Sequence, residues 1–270
     1  MKYRAVVLDV DGTLLNSKLE IELETLEVLK KFRSIGGKVY LATGRTYLSV
    51  KPYYDILGLD TPVIAYNGAK VVSNFGETIL EYPIEGDLVK YFIDLSRRTE
   101  THLNLYQNEK WLVEDPFNNE SEIYEGISGL SPEESDFENL EEYFSNKALF
   151  IAEKEKLDKL KEEIIIDLDN RVHVTASKPF FLEVMKKGVN KGETLKKIME
   201  SEGLDLEEVI AFGDGLNDLE MIRAAGLGVA MGNSYEELKE AADLITVDND
   251  SNGIAQVMTD LFNKRSLVGL

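Results

Sequence analysis

The feature that most constrains the fold is an apolar segment near the start of the chain that ends in two carboxylates. Residues 5–8 are Ala-Val-Val-Leu, a short uninterrupted run typical of a strand buried on both faces of a parallel sheet. Asp9 and Asp11 follow directly, and Gly12 and Thr13 come next. A buried carboxylate is costly unless it is paired or holds a metal. The pattern predicts a divalent cation and a reactive carboxylate at the strand end, with a plain acidic turn as the alternative.

Length, charge and cysteine content exclude several classes of protein. The 270 residues are enough for two domains, and no apolar run of about 18 residues predicts a membrane span. The first strand begins too early for a signal peptide, and no cysteine is present, so we expect a cytoplasmic protein without disulfides. A net charge of −20 argues against nucleic acid or an anionic membrane as partner. A phosphate site would need its own local positive charge.

Both ends of the chain alternate between apolar strands and amphipathic helices, which is typical of an α/β fold with a parallel sheet. Asn67-Gly68 predicts a two-residue hairpin turn between two of these strands. The predicted strands of the two ends are 5–8, 38–42, 62–66, 69–72, 208–212, 228–231 and 244–247.

The middle of the chain has a different pattern, in which predicted helices are mixed with strands that alternate apolar and polar residues. Predicted strands there are 103–106, 111–113, 148–151, 172–175 and 180–184, with helices near 88–97 and 155–165. An acidic block within 114–146 is interpreted as a solvated face or a mobile loop. We therefore predict a Rossmann-like parallel-sheet core with helices on both faces, formed by residues 1–82 and 189–270. An α+β cap domain, residues 83–188, is inserted into it.

A second acidic pair also follows a predicted buried strand. Asp214 and Asp218 follow the strand predicted at 208–212, at a junction with a helix. Ligands of open α/β sheets bind at the carboxyl ends of the strands, where both pairs would lie. Four converging carboxylates require a cation, and oxygen ligands without Cys or His point to Mg²⁺. For Asp218 alone, a helix N-cap is the alternative.

Two shorter motifs contain groups that could bind a phosphate. Thr43-Gly44 follows a strand, so its hydroxyl and amides could bind phosphate oxygens, as could the Thr13 hydroxyl. Lys191 opens a helix just after the insert and offers the local positive charge that a substrate anion needs in a chain of net charge −20. Each signal is weak alone, and both gain weight beside the carboxylates.

The chain resembles the haloacid dehalogenase-like phosphatases over essentially its whole length. The resemblance rests on these motifs, in this order: Asp9-x-Asp11-Gly12-Thr13, Thr43-Gly44, Lys191 and Gly213-Asp214-x-x-Asn217-Asp218. The insert between the second and third motifs, flanked by Tyr66-Asn67-Gly68-Ala69 and Gly188-Val189-Asn190-Lys191-Gly192, is similar to that of the Cof-type sugar-phosphatase branch. The chain departs from that branch at residues 182–187, Leu-Glu-Val-Met-Lys-Lys, where many members have L-E-I-x-P. This departure bears on substrate choice or cap closure.

The resemblance implies hydrolysis of a small phosphate ester, by default a sugar phosphate, through an aspartyl-phosphate. Asp9 would be the nucleophile, and Asp11 would first protonate the leaving group and then activate water. Mg²⁺ would be held by the Asp9 carboxylate, the Asp11 main-chain carbonyl and Asp214, and Asp218 would orient the metal site. Lys191, Thr43 and Gly44 would clamp the phosphate, while Asn217 would position Lys191 or the phosphate.

The remaining candidates have two interpretations each. Arg45 either helps to hold the substrate or pairs with a cap carboxylate, and Asn67 is either a turn residue or part of the site. The cap residues to test for substrate specificity are Lys178, His173 and Phe181. The alternatives are a surface position for Lys178, a sheet position for His173 and a core position for Phe181. His102 is expected to be structural.

Two other functions stay open. A phosphomutase would use the same acidic pair but return the phosphoryl group to its substrate. A regulatory phospho-acceptor or metal-dependent binding module would be labelled at Asp9 and turn over slowly, although Asp11 argues against it. The expected partner is a small-molecule phosphate ester, and the protein is expected to be a monomer or a small homo-oligomer.

Overall fold

The computed structural model describes residues 2–168 and 171–268. In chain order, the strands are β1 (Ala5–Leu8), β2 (Lys38–Ala42), β3 (Val63–Ala65), β4 (Lys70–Val72), β5 (Thr78–Glu81), β6 (His102–Gln107), β7 (Lys110–Val113), β8 (Glu133–Glu134), β9 (Ala148–Ile151), β10 (Val172–Thr175), β11 (Phe181–Lys186), β12 (Val209–Gly213), β13 (Leu227–Ala230) and β14 (Leu244–Ile245). The α-helices are α1 (Leu23–Ser34), α2 (Tyr47–Leu57), α3 (Gly86–Thr99), α4 (Asn119–Ser128), α5 (Lys154–Leu168), α6 (Lys191–Glu202), α7 (Leu219–Ala224), α8 (Glu236–Ala241) and α9 (Gly253–Val268). Within the described residues, no helix has the length and apolar character needed to cross a bilayer.

The larger sheet has eight strands in the order β14-β13-β12-β1-β2-β3-β4-β5. Its strands run parallel from β14 to β3, and β4 and β5 are antiparallel additions at one edge. Leu8 is in register with Phe212 on one side and Leu41 on the other, so the three central strands end at the same level. The residues that follow them, including Asp9 and Asp214, consequently lie at one edge of the sheet.

Helices cover both faces of the larger sheet, as predicted. Alternate residues of β1 point to opposite faces because a strand has a period of two. Val6 and Leu8 belong to an apolar cluster with Phe32 of α1. Val7 belongs to a second cluster with Leu195 of α6. This two-sided burial explains why β1 is apolar at every position.

The smaller sheet, in the order β10-β11-β9-β6-β7-β8, lies entirely between β5 and α6, and we call that segment the insert. Its pairs are antiparallel except β7 with β8. On one face, Phe92 of α3 and Ile164 of α5 share an apolar cluster with the sheet. On the other face, Tyr106 contacts Tyr66 of the larger unit edge-on, at 5.7 Å between ring centroids. One face of the insert thus meets the edge where Asp9 lies.

Most predicted elements lie where expected, and β2, β9 and β10 have the predicted bounds. The division into a core of 1–82 and 189–270 and a cap of 83–188 stays a prediction. Residues 1, 169–170 and 269–270, which it includes, lie outside the described residues.

The turn between β3 and β4 differs from its prediction. Ala65 pairs with Lys70, so the loop has four residues and not the two of Asn67-Gly68. Tyr66, Asn67 and Gly68 all have positive φ, at 50°, 54° and 98°. The amides of Tyr66 and Asn67 donate to carbonyls of the turn after β2, and these tertiary hydrogen bonds override the local hairpin preference.

The acidic block is only partly a loop. Most of its carboxylates are exposed, as predicted, but the block also forms α4 and the short strand β8. Asn118 caps α4 by accepting a hydrogen bond from the Ser121 amide. The buried face of this helix carries Tyr124 toward the core.

Candidate active site

The ends of β1 and β12 bring the two acidic pairs together. The amide of Asp9 donates to the Phe212 carbonyl at 3.0 Å, which continues the pairing of β1 with β12 beyond Leu8. Gly12 has φ +83°, and a Cβ there would lie 2.4 Å from Asp214 Oδ2, so the turn requires glycine. The Thr13 hydroxyl donates to Asp214 Oδ1 at 2.9 Å. The anionic oxygen that Thr13 satisfies here is therefore a carboxylate oxygen.

Lys191 lies between two carboxylates. Its ammonium is fully buried and donates to Asp9 Oδ1 and Asp218 Oδ1, each at 2.5 Å. The other oxygen of Asp218 accepts from the amides of Asp214 and Gly215 at 3.0 Å. Both oxygens of Asp218 are therefore occupied, and this side chain orients Lys191 and the Asp214 backbone.

The buried charges shift several pKa values. Burial raises the pKa of Asp9 well above its usual range, and the charge of Asp218 adds to this effect. Burial and the charge of Asp218 raise the pKa of Asp214 to about 7. Burial opposes the charged form of Lys191, but Asp218 and Asp9 outweigh it and raise the pKa of the ammonium. The positive charge near Asp9 and Asp214 is thus too small to keep their pKa values in the usual range.

These carboxylates fit a divalent cation. One carboxylate oxygen of each of Asp9, Asp214 and Asp218 lies within 4.8 Å of those of the other two, and Lys191 forms ion pairs with Asp9 and Asp218. Hard cations such as Mg²⁺ prefer carboxylate oxygens, and a cation here would supply the missing charge. The Asp11 carboxylate is not part of this cluster. Three carboxylates therefore cluster here and not the four that were predicted, and the role of the Asp11 main-chain carbonyl as a metal ligand stays a prediction.

The Asp11 side chain is instead bound by Arg45. The guanidinium donates to both carboxylate oxygens, at 2.7 Å from Nε and 2.6 Å from Nη2. It also donates to the carbonyls of Ser128 and Ile127 in the insert, at 3.3 and 3.1 Å. Of the two interpretations of Arg45, the ion pair with a cap carboxylate is not made: its carboxylate partner is Asp11, and the insert contributes carbonyls. The role of Arg45 as a substrate contact stays a prediction. Arg45 links the predicted acid–base residue to the insert.

The turn after β2 is joined to two asparagines. The Thr43 hydroxyl accepts from the Arg45 amide at 3.0 Å, and the Asn67 amide donates to the Thr43 carbonyl at 2.9 Å. Asn217 donates from its side chain to Asn67 Oδ1 at 2.9 Å. Asn67 is thus both a left-handed turn residue and a contact of the site. Within the described residues, Asn217 makes no hydrogen bond to Lys191, whose partners are the two carboxylates.

One cavity joins these groups to the insert. The larger unit contributes Asp9, Asp11, Gly44, Arg45, Asp214 and Asn217 to its lining. The other predicted site residues lie one hydrogen bond behind this lining: Thr13, Thr43, Asn67, Lys191 and Asp218. All eleven predicted site residues therefore meet at one place.

The predicted cap residues divide into two groups. Lys178 and Phe181 line the cavity, and Phe181 is buried there. His173 does not line it, and its Nε2 lies 3.9 Å from Glu220 Oε1 of α7. His102 makes its side-chain hydrogen bonds within the insert, away from the cavity lining.

The insert also lines the cavity with Tyr124, Ile127, Ser128, Lys147, Ser177 and Glu183. Of these, the sequence analysis named only Glu183, as part of the segment 182–187. Lys147 donates to Glu183 Oε1 at 2.5 Å and to the Gly44 carbonyl at 2.8 Å. Lys147 lowers the pKa of the Glu183 carboxyl although burial opposes this. The available signal was a lone carboxylate inside the otherwise apolar start of β11. Tyr124 packs on Phe181 with 5.7 Å between ring centroids.

Comparisons with known proteins agree with this geometry. The sequence profile of the haloacid dehalogenase-like hydrolases matches residues 6–258. The 5-amino-6-(5-phospho-D-ribitylamino)uracil phosphatase YitU of Bacillus subtilis is 31% identical over 275 residues, 96% of this chain and 97% of that protein. The HMP-PP phosphatase of Serratia proteamaculans is 32% identical over 237 residues, 88% of this chain and 86% of that protein. A crystal structure of a haloacid dehalogenase-like hydrolase from Bacteroides thetaiotaomicron has a TM-score of 0.85 at 32% identity, covering 96% of this chain and all of that one.

The match extends from β1, which precedes Asp9, into α9, and thus spans both ends of the larger sheet together with the insert. It includes both acidic pairs and Lys191. The chain belongs to the haloacid dehalogenase-like hydrolases, in their Cof-type branch, and is a phosphatase of that family.

Proposed function

We propose that this protein is a Mg²⁺-dependent phosphatase that hydrolyses a small phosphate monoester through an aspartyl-phosphate on Asp9. The observation that carries this proposal is the cluster of Asp9, Asp214 and Asp218 around Lys191, at the wall of a cavity shared with the insert.

Asp9 is the nucleophile in this proposal. One of its oxygens accepts from Lys191, and within the described residues the other accepts no hydrogen bond, which leaves it for attack on phosphorus. The Asp9–phosphorus bond forms as the bond from phosphorus to the leaving oxygen breaks. Lys191 holds the carboxylate in place and neutralises part of the charge that gathers there.

Mg²⁺ would be held by the carboxylates of Asp9 and Asp214 and by the main-chain carbonyl of Asp11. When bound, it supplies positive charge that offsets the repulsion between the phosphate and the carboxylates. Asp218 keeps Asp214 and Lys191 in position through the hydrogen bonds described above.

Asp11 protonates the leaving oxygen and later takes a proton from the water that hydrolyses the aspartyl-phosphate. In the structure both oxygens of Asp11 accept from Arg45, so proton delivery requires Asp11 to turn away from the guanidinium. The Gly44 amide at the cavity wall, with Thr43 and Lys191 directly behind that wall, clamps the phosphate, and Asn217 in the same lining positions it.

The substrate is a small phosphorylated metabolite, for which a sugar phosphate is the first candidate. Two relatives are named for HMP-PP and for a phosphorylated ribitylaminouracil, so polar leaving groups of this size suit the family. In this proposal residues 83–188 form the cap that covers such a leaving group. A cytoplasmic location and a monomeric or small homo-oligomeric state stay predictions.

Substitution of the nucleophile tests the proposal. Asp9→Asn removes the attacking oxygen anion, so Mg²⁺-dependent release of inorganic phosphate from p-nitrophenyl phosphate should fall below detection. Acid quenching with a radiolabelled phosphate ester should trap no labelled protein. Asp158→Asn is the matched control because Asp158 lies in an exposed pair on α5, and it should keep both signals. Labelling that persists in Asp9→Asn would exclude Asp9 as the nucleophile.

The same assay separates the two alternatives. A phosphomutase would form the labelled protein but release little inorganic phosphate in a single turnover. A regulatory phospho-acceptor would accumulate label without steady-state turnover. Sustained phosphate release by the unmodified protein excludes both.

A further inference from the structure

The insert contains a buried ion pair that the proposed mechanism does not use. Lys147 precedes β9 and Glu183 lies in β11, and their side chains are 3% and 2% exposed. A buried ion pair seldom adds stability, because the cost of desolvating both charges offsets their attraction. Its place in the wall of the cavity therefore points to a role in binding.

One oxygen of this pair has no hydrogen bond of normal geometry. Glu183 Oε1 accepts from Lys147, whereas Glu183 Oε2 is buried and lacks such a bond within the described residues, although the Ser177 and Asn67 side chains lie near enough to lower the pKa of the carboxyl. Lys147 uses two of its three protons, on Glu183 and on the Gly44 carbonyl. A buried charged oxygen without a donor is costly, and native proteins rarely keep one unless a ligand satisfies it.

The position of the pair relative to Asp9 indicates what could satisfy that oxygen. Glu183 and Lys147 line the same cavity as Asp9 and Asp214, on the side that the insert contributes. A phosphate held at Asp9 would direct its leaving group toward this side. Phe181 lines the cavity as well and offers an apolar surface beside the carboxylate.

We propose that Glu183, held in place by Lys147, is a specificity-determining residue that accepts a hydrogen bond from a hydroxyl or N–H group of the leaving group. This inference rests on the proposed phosphatase function. A leaving group without a donor would leave the buried carboxylate unpaired, and an enzyme site built for a donor discriminates strongly against such a substrate. A leaving group with a second anion near Glu183 would be repelled. The expected substrate is therefore a phosphate monoester whose leaving group carries a hydroxyl or N–H donor.

The test compares substrates with and without donors. The hydroxylated substrates are glycerol 3-phosphate, ribose 5-phosphate and glucose 6-phosphate, and n-propyl phosphate is the matched ester without a hydroxyl. We expect the unmodified protein to have a higher kcat/KM for at least one hydroxylated ester than for propyl phosphate. In the double variant Lys147→Met/Glu183→Met, kcat/KM should fall about tenfold or more further for the best hydroxylated ester than for propyl phosphate.

The double variant is preferred because removing both charges of a buried pair spares the fold, whereas removing one leaves the other unpaired. Glu183→Gln is the second variant, since it keeps an acceptor oxygen and should retain more of the preference. Glu133→Gln, in an exposed pair with Lys110 of the same insert, should leave the preference unchanged. Melting temperatures of all variants check that they are folded.

Three results would overturn the inference. One is an equal loss on both kinds of ester, which would mean that the pair only docks the insert on Gly44. Another is an unmodified protein that prefers propyl phosphate. The third is a Glu133→Gln variant that changes the preference as much as the double variant does. A protein that hydrolyses none of the esters refutes the proposed function itself, and that outcome is distinct from the first three.

Discussion

Removing the charge of Lys191 is the most direct test of how this site is held together. The ammonium is fully buried between Asp9 and Asp218, whose side chains are 7% and 0% exposed. Lys191→Met replaces it with an apolar side chain of similar length and leaves both carboxylates without their cation. Breaking a buried ion pair by removing one partner costs about 3–5 kcal/mol. For a chain of this size, that corresponds to a fall in melting temperature of roughly 6–20 °C.

Thermal unfolding followed by circular dichroism, at pH 8 with EDTA, measures this loss. The control is Lys154→Met, which removes a lysine from an exposed pair with Asp158 and should hardly change the melting temperature. The difference between Lys191→Met and the unmodified protein should shrink as the pH falls. Without the cation, the folded state of the variant binds protons on its buried carboxylates more readily, and protonation then stabilises it relative to the parent.

Lys191→Arg separates charge from geometry. It keeps the positive charge but cannot place a compact ammonium between Asp9 and Asp218. We therefore expect Lys191→Arg to lose activity, and to be destabilised less than Lys191→Met. A melting temperature of Lys191→Met within about 2 °C of the parent, where roughly 6 °C or more is expected, would refute the reasoning. Lys191 would then not be what neutralises the buried carboxylates.

Three further predictions concern the metal site and the insert. Because burial raises the pKa of Asp214 to about 7, protons compete with Mg²⁺, and calorimetric titration should give an affinity about tenfold weaker at pH 6 than at pH 8; an equal affinity would count against Asp214 as a ligand. Gly12→Ala places a Cβ 2.4 Å from Asp214 Oδ2 and should weaken Mg²⁺ binding about 10- to 100-fold, again by calorimetry; unchanged binding would contradict the tight turn. Arg45→Lys loses the two-pronged contact with Asp11 and should lower kcat more than it raises KM; an effect on KM alone would argue for simple substrate binding.

The pattern of strands and carboxylates was readable from local sequence. β1 is apolar at all four positions because both faces of the sheet are covered there. Such a run predicts a buried strand without reference to any distant residue. The same holds for β12, which ends at Gly213 immediately before Asp214. Since parallel strands place their carboxyl ends at one edge, two such strand ends were enough to predict that the carboxylates meet.

The contacts between distant segments could not be predicted in this way. Arg45 was expected either to hold the substrate or to pair with a cap carboxylate. It lines the cavity, but its ion pair is with Asp11, and it also bonds to carbonyls of the insert. The loop at Asn67 has four residues because its amides bond to the turn after β2 and not because of its own turn preference. Each outcome depends on which surfaces the fold brings together.

By itself, the sequence determined the α/β class, the acidic pairs at the strand ends and the candidate lysine, Lys191, because each depends on residues near one another along the chain. Only the tertiary structure decided the partner of Arg45, the helical part of the acidic block and the placement of Lys147 against Glu183. Those features depend on contacts between residues 34 to 103 positions apart, some within one sheet unit and others between the insert and the larger sheet. Local sequence patterns do not predict contacts between residues so far apart in the chain.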